Sequence, residues 1–68
     1  MNFSEALKAM KMGSKVSREA WRGKISCWRI NKDKKLVRVE TNGFAYLLGS
    51  EILIQAEDIL AEDWFLVT

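Results

Sequence analysis

Apolar positions follow two rhythms along this chain. Phe3, Ala6, Leu7 and Met10 recur at the spacing of one helical face, with Lys8 and Lys11 on the other. Asn2 precedes this stretch and Glu5 stands three residues on, the spacing of a capping box; Gly13 is a natural stop. The pattern therefore predicts an amphipathic helix of about three turns. From Lys15 onward the rhythm shortens to strands. Lys15-Val16-Ser17 reads as a short edge strand, and Arg18 to Gly23 as a loop or single helical turn. Ile25–Ile30 and Leu36–Glu40 read as a hairpin around the polar turn 31–35, with Ile25 and Cys27 on one face and Trp28 and Ile30 on the other. Thr41-Asn42-Gly43 turns the chain into a third strand, Phe44–Leu48. Gly49-Ser50-Glu51 turns it again into Ile52-Leu53-Ile54. One helical turn over Ala56–Leu60, which Asp58 could help cap, precedes a last strand, Trp64–Val67. The expected architecture is α+β: one N-terminal helix on an antiparallel sheet of about five strands.

Two of the apolar runs, 44–48 and 52–54, are apolar on both faces, and a single helix covers only one side of a sheet. The other side needs a second surface, and a further copy of the chain is the economical one. Length reinforces this. With 68 residues the chain is expected to form one domain, 1–68, burying about 60% of its unfolded surface. The sequence holds one cysteine, Cys27, and no histidine, so neither a disulfide within the chain nor a structural zinc site is available to staple the fold. A homo-oligomer, dimer or tetramer, is expected.

Composition narrows the function classes. Hydrophobic residues make up 49% of the chain and charged residues 29%, which excludes a disordered tail. No run of 18 apolar residues is present, and the N-terminus lacks the basic and apolar regions of a signal peptide, so a cytoplasmic protein without membrane contact is expected. The formal charge of +2 conceals a split. Residues 1–41 hold all eleven Lys and Arg beside four acids, whereas residues 42–68 hold five acids and no base. Such a split favours contacts between subunits or a local positive pocket.

The chemistry-bearing stretch is Val16-Ser17-Arg18-Glu19-Ala20-Trp21-Arg22-Gly23-Lys24. Trp21 lies among three cations, with Gly23 behind the ring allowing close backbone approach. An indole beside guanidinium groups can stack a heterocycle and meet an anion in one place. The alternative is that Trp21 simply anchors the loop to the core. Nucleophilic catalysis is disfavoured without histidine, and Cys27 alternates like a buried small hydrophobe. Glu57, Asp58, Glu62 and Asp63 could pair for acid–base work or hold Mg²⁺, but they read as a solvated loop with caps. No catalytic residue, metal or cofactor is therefore expected. A small nucleic-acid-binding module is the rival reading: eleven cations and seven aromatics could form a stacking sheet with a basic rim, although the acidic final third opposes phosphate. A purely structural or partner-binding role is a third.

Three segments resemble a family of small phage and prophage proteins associated with inhibition of the bacterial Thoeris immune system. They are Met1–Leu7; Lys15–Lys24, similar to the family's Val-x-Arg-x-x-Trp-x-Gly-Lys; and Asp58-Ile59-Leu60-Ala61-Glu62-Asp63-Trp64, similar to its Asp-Leu-Leu-Ala-x-Asp-Trp. The resemblance implies an oligomeric sponge, often tetrameric, that binds cyclic ADP-ribose isomers made by a TIR-domain enzyme without degrading them; some relatives also take cyclic oligonucleotides. It further implies that Trp21 lines the ligand pocket and that residues near Glu62 and Asp63 complete it across a subunit interface. On that reading Trp21 or Phe3 stacks the purine, and Arg18, Arg22 or Lys24 neutralises the pyrophosphate. Glu62 and Asp63 then accept from ribose hydroxyls or the adenine amino group. The chain departs from the pattern at Arg22, where many members have asparagine, and at Leu53-Ile54-Gln55-Ala56, where many have Pro-Trp and Pro-Ser.

Overall fold

A computed structural model describes residues 1–22 and 25–67. Helix α1 spans Phe3–Lys11. Its capping box is complete: Asn2 Oδ1 accepts from Glu5 N at 2.9 Å, and Asn2 N donates to Glu5 Oε1 at 2.9 Å. Gly13 takes a φ of +96° just past the helix, a region costly for any residue with a Cβ. Ala6 and Met10 form the buried stripe, and Phe3, Leu7 and Ala9 pack beside it.

The strands are β1 (Lys15–Arg18), β2 (Ile25–Ile30), β3 (Leu36–Glu40), β4 (Ala45–Leu47) and β5 (Trp64–Val67). A 3₁₀ turn, Glu19–Trp21, follows β1, and a one-turn helix α2, Ala56–Ile59, precedes β5. The sheet is antiparallel in the order β4-β3-β2-β1-β5. The α+β class and the single substantial helix match the hydrophobic rhythm.

Four local expectations are corrected. β1 is an interior strand: the C-terminal strand returns to pair with all four of its residues, from Lys15↔Val67 to Arg18↔Trp64. The 52–54 run is not a strand. Ile52 makes only an isolated bridge to Leu48, because the chain folds back on Leu47, whose carbonyl accepts from Glu51 N at 2.8 Å and Ile52 N at 3.1 Å. Asp58 does not cap α2; Gln55 occupies the N-cap without a side-chain bond, and Asp58 is buried in an ion pair. A bulge between Ile25 and Cys27 breaks the strict alternation expected at the start of β2.

Register arranges the two faces of the sheet. One cross-strand row runs Leu66, Val16, Trp28, Arg38, Tyr46, a residue from each strand. This face meets α1, and the core there is Ala6, Met10, Val16, Trp21, Trp28 and Trp64. The three indoles pack mutually, with centroids 5.1 to 5.3 Å apart. Phe3 sits 5.5 Å from Trp64 and 6.3 Å from Trp28. Aromatic pairs at these distances gain about 0.5 to 1.5 kcal/mol beyond their burial. The opposite face carries Cys27, Val37, Val39, Leu47, Phe65 and Val67. The contacts of α1, the 3₁₀ turn and the segment before β5 lie on the Trp28 side. Phe65 is 37% exposed on the far side.

Candidate ligand-binding site

The C-terminal segment closes over the aromatic core through one charged knot. Arg18 leaves the end of β1 and donates Nε to Asp63 Oδ1 at 2.7 Å and Nη1 to Asp58 Oδ1 at 2.6 Å. Asp63 also accepts from Ala20 N at 3.1 Å through Oδ2, and its carbonyl accepts from Glu19 N at 3.2 Å. Trp64 Nε1 donates to the Asp58 carbonyl at 2.9 Å, tying α2 to β5. The hydrogen bond from Arg18 holds the Asp63 carboxyl below its usual value, with the Ala20 N–H adding to it against desolvation. The same pair raises the Arg18 guanidinium, burial opposing. Arg18 lies with its Cζ 5.8 Å from the Trp21 ring centroid, within cation–π range.

Beside this knot a cavity of about 370 Å³ opens on the Trp28 side of the sheet. Its walls are the indoles of Trp21 and Trp28, whose rings lie 5.3 Å apart at 38°. Arg38 and Leu48 line it from the β3–β4 side, and Ile52, Leu53, Gln55, Glu57 and Asp58 from the segment leading into α2. Of the lining residues Leu53 is 78% exposed. Two of the lining residues each carry a fully buried donor atom without a hydrogen-bond partner, Trp28 Nε1 and Arg38 Nε. Arg38 Nη2 donates to Glu40 Oε1 at 2.6 Å. Among the described residues no group of three or more His, Cys, Asp or Glu is placed to hold a metal ion.

The residues singled out in the sequence fall in different places. Arg18, Trp21 and Asp63 meet in one cluster, with Asp58 as an unforeseen fourth member. Trp21 is both core and wall: 8% exposed, and lining the cavity. Phe3 packs into the indole core. Arg22 is exposed and paired with Glu19. Glu62 is exposed, its carbonyl 3.4 Å from the Met1 ammonium. Gly23 and Lys24 lie outside the described residues. Trp28 and Arg38 escaped the sequence reading although their spacing carried them. A hairpin closing on Asn31–Lys35 places Ile30 opposite Leu36 and hence Trp28 opposite Arg38, an indole beside a cation on the covered face.

The described residues thus place an indole-walled cavity on a five-stranded α+β scaffold, flanked by a carboxylate–guanidinium knot. The chain belongs to the Tad2-like family: the model of the Thoeris anti-defense 2-like domain matches residues 1–67. Comparisons with curated proteins and with solved structures returned no match. An anti-defence role follows from the family. No helix among the described residues is long and apolar enough to cross a membrane.

Proposed function

We propose that this protein binds and sequesters a nucleotide-derived immune signal, a cyclic ADP-ribose isomer or a cyclic oligonucleotide, and holds it without cleaving it. The carrying observation is the cavity walled by Trp21 and Trp28 in a chain of the Thoeris anti-defense 2-like family. Its volume suits part of a dinucleotide-sized ligand, and its paired indoles suit a flat heterocycle. Arg18, Asp58 and Asp63 act as scaffold, clamping the closing segment against Trp21. Phe3 backs the indoles, while Arg22 and Glu62 belong to the rim on which a neighbouring subunit closes. The chemistry of a sponge needs no general base, and the chain offers no histidine to act as one.

Assembly is part of the proposal. The sheet face bearing Val37, Leu47 and Phe65 suits a second copy, and the exposed Leu53 at the cavity and Leu60 just past α2 suit a further contact. Oligomerisation then completes the site and binding stabilises the oligomer. The site of action is the cytosol of the infected bacterium. A thermal-shift series tests the reading. Cyclic ADP-ribose isomers or cyclic oligonucleotides raise the melting temperature in a concentration-dependent way, and short DNA and RNA oligonucleotides do not. A shift with the oligonucleotides alone, falling steeply with salt, makes it a nucleic-acid-binding module instead.

A further inference from the structure

The cavity has two unequal walls. One is the sheet, with Trp28, Arg38 and Leu48; the other is a strap, residues 49–60, which supplies five lining residues between Ile52 and Asp58. The strap begins after Leu48 and ends before Ala61, both packed against the indole core, yet none of its own side chains joins that core. Its first residues turn tightly on the Leu47 carbonyl, with Gly49 at a φ of +87°. The one-turn helix α2 within it has no side-chain cap. Beyond Ile52, every hydrogen bond from the strap to the rest of the described residues runs through Asp58. Its carboxylate accepts from Arg18 Nη1 at 2.6 Å, and its carbonyl from Trp64 Nε1 at 2.9 Å. A segment with little buried apolar surface and one point of attachment opens at low cost while the sheet stays folded.

We propose that the strap is a gate over the cavity, hinged at Gly49 and before Ala61, and that Asp58 is its latch. When the latch parts, Arg18 keeps its bond to Asp63 at 2.7 Å, so no guanidinium is stranded and opening stays local. The cavity, about 370 Å³, lies at the small end of ligand sites, which run from about 300 to 1,000 Å³. A strap that swings out enlarges it for entry. A ligand that touches both walls meets the strap only in the closed state, and this differential contact holds the gate shut once the ligand is in. Asp58 is then a positioning residue that sets how fast ligand enters and leaves. The gate follows from the packing of the strap, whereas its use in holding a signal rests on the sequestration reading.

The first test needs no ligand and uses the wild-type protein. Trp64 is buried and its Nε1–H donates to the Asp58 carbonyl, so that proton reports the latch. After transfer to D₂O, ¹H–¹⁵N spectra follow its exchange beside that of the β2–β3 amides. Corrected for intrinsic rates, the Trp64 Nε1–H exchanges at least about tenfold faster than those amides, through an opening that low urea does not promote. Exchange in step with the β2–β3 amides, with the same urea dependence, overturns the gate. A second arm uses stopped-flow tryptophan fluorescence with a cyclic ADP-ribose isomer. Asp58→Asn weakens the latch, and association and dissociation both quicken about tenfold, because the closed state loses the same charge-assisted bond with and without ligand. Faster dissociation alone makes Asp58 part of the cavity wall and overturns its role as latch, as do unaltered rates. Failure of cyclic ADP-ribose to bind the wild-type protein counts against sequestration of that isomer, and the indole exchange still decides the gate. The same exchange measurement decides it if Asp58→Asn does not fold.

Discussion

Arg18 and its two carboxylates carry the greatest local consequence of any single contact. Both Arg18 and Asp58 side chains are nearly enclosed, at 13% and 12% exposure. Arg18→Ala strands a buried carboxylate, for which about 3 kcal/mol of lost stability is expected, read from urea unfolding. Asp63 brings pH into play. Its carboxyl is held low by Arg18, so its contribution is complete above the ordinary aspartate value of about 4 and disappears as pH falls through the lower folded value. Stability should therefore drop on acidification below about pH 4, and Asp63→Asn should flatten that limb while lowering stability at neutral pH. Trp21 has to be probed gently. As a core indole its replacement by alanine costs about 3 to 5 kcal/mol, enough to confuse unfolding with lost binding. Trp21→Phe keeps an aromatic wall; it should weaken ligand binding severalfold while the melting curve stays cooperative.

At the scale of elements, legibility divides by what sets each one. The α1 cap and stripe, the β2–β3 hairpin and the Asn42–Gly43 turn were legible because local chemistry specifies them: an Asx cap, alternation, and a glycine that takes a φ of +93°. The position of β1 was not, because it depends on the last strand returning across 45 residues to pair beside it. Nor was the fate of the 52–54 run, where apolar content suggested a strand and Leu53 instead lies exposed at the cavity mouth. The site followed the same rule. Trp21 announced itself by its cationic neighbours in sequence, whereas Trp28 and Arg38 reach the cavity only through cross-strand register. The far face of the sheet carries its own expectation. Leu47→Lys combined with Phe65→Glu places charge on that face, and light scattering after gel filtration should show a smaller assembly with an unchanged circular dichroism spectrum.

For the whole molecule, small size, apolar excess and split charge fit one arrangement. A 68-residue chain reaches a packed core by stacking three indoles under one helix, and its second sheet face and cavity mouth carry exposed apolar side chains, Phe65 and Leu53, that suit the proposed assembly. The basic N-terminal part and acidic C-terminal part meet inside the fold, at Arg18 with Asp58 and Asp63, and there they brace the cavity wall. Ligand and assembly are then linked, so ligand should raise both melting temperature and oligomer stability. The central claim is capture without chemistry, and one experiment meets it directly. The protein is incubated with a cyclic ADP-ribose isomer, separated from free ligand by filtration, denatured by heat, and the released small molecule is identified by mass spectrometry. Recovery of the intact cyclic molecule, in stoichiometric proportion to protein, is the predicted result; ligand that passes through the filter unbound, or returns cleaved, contradicts it.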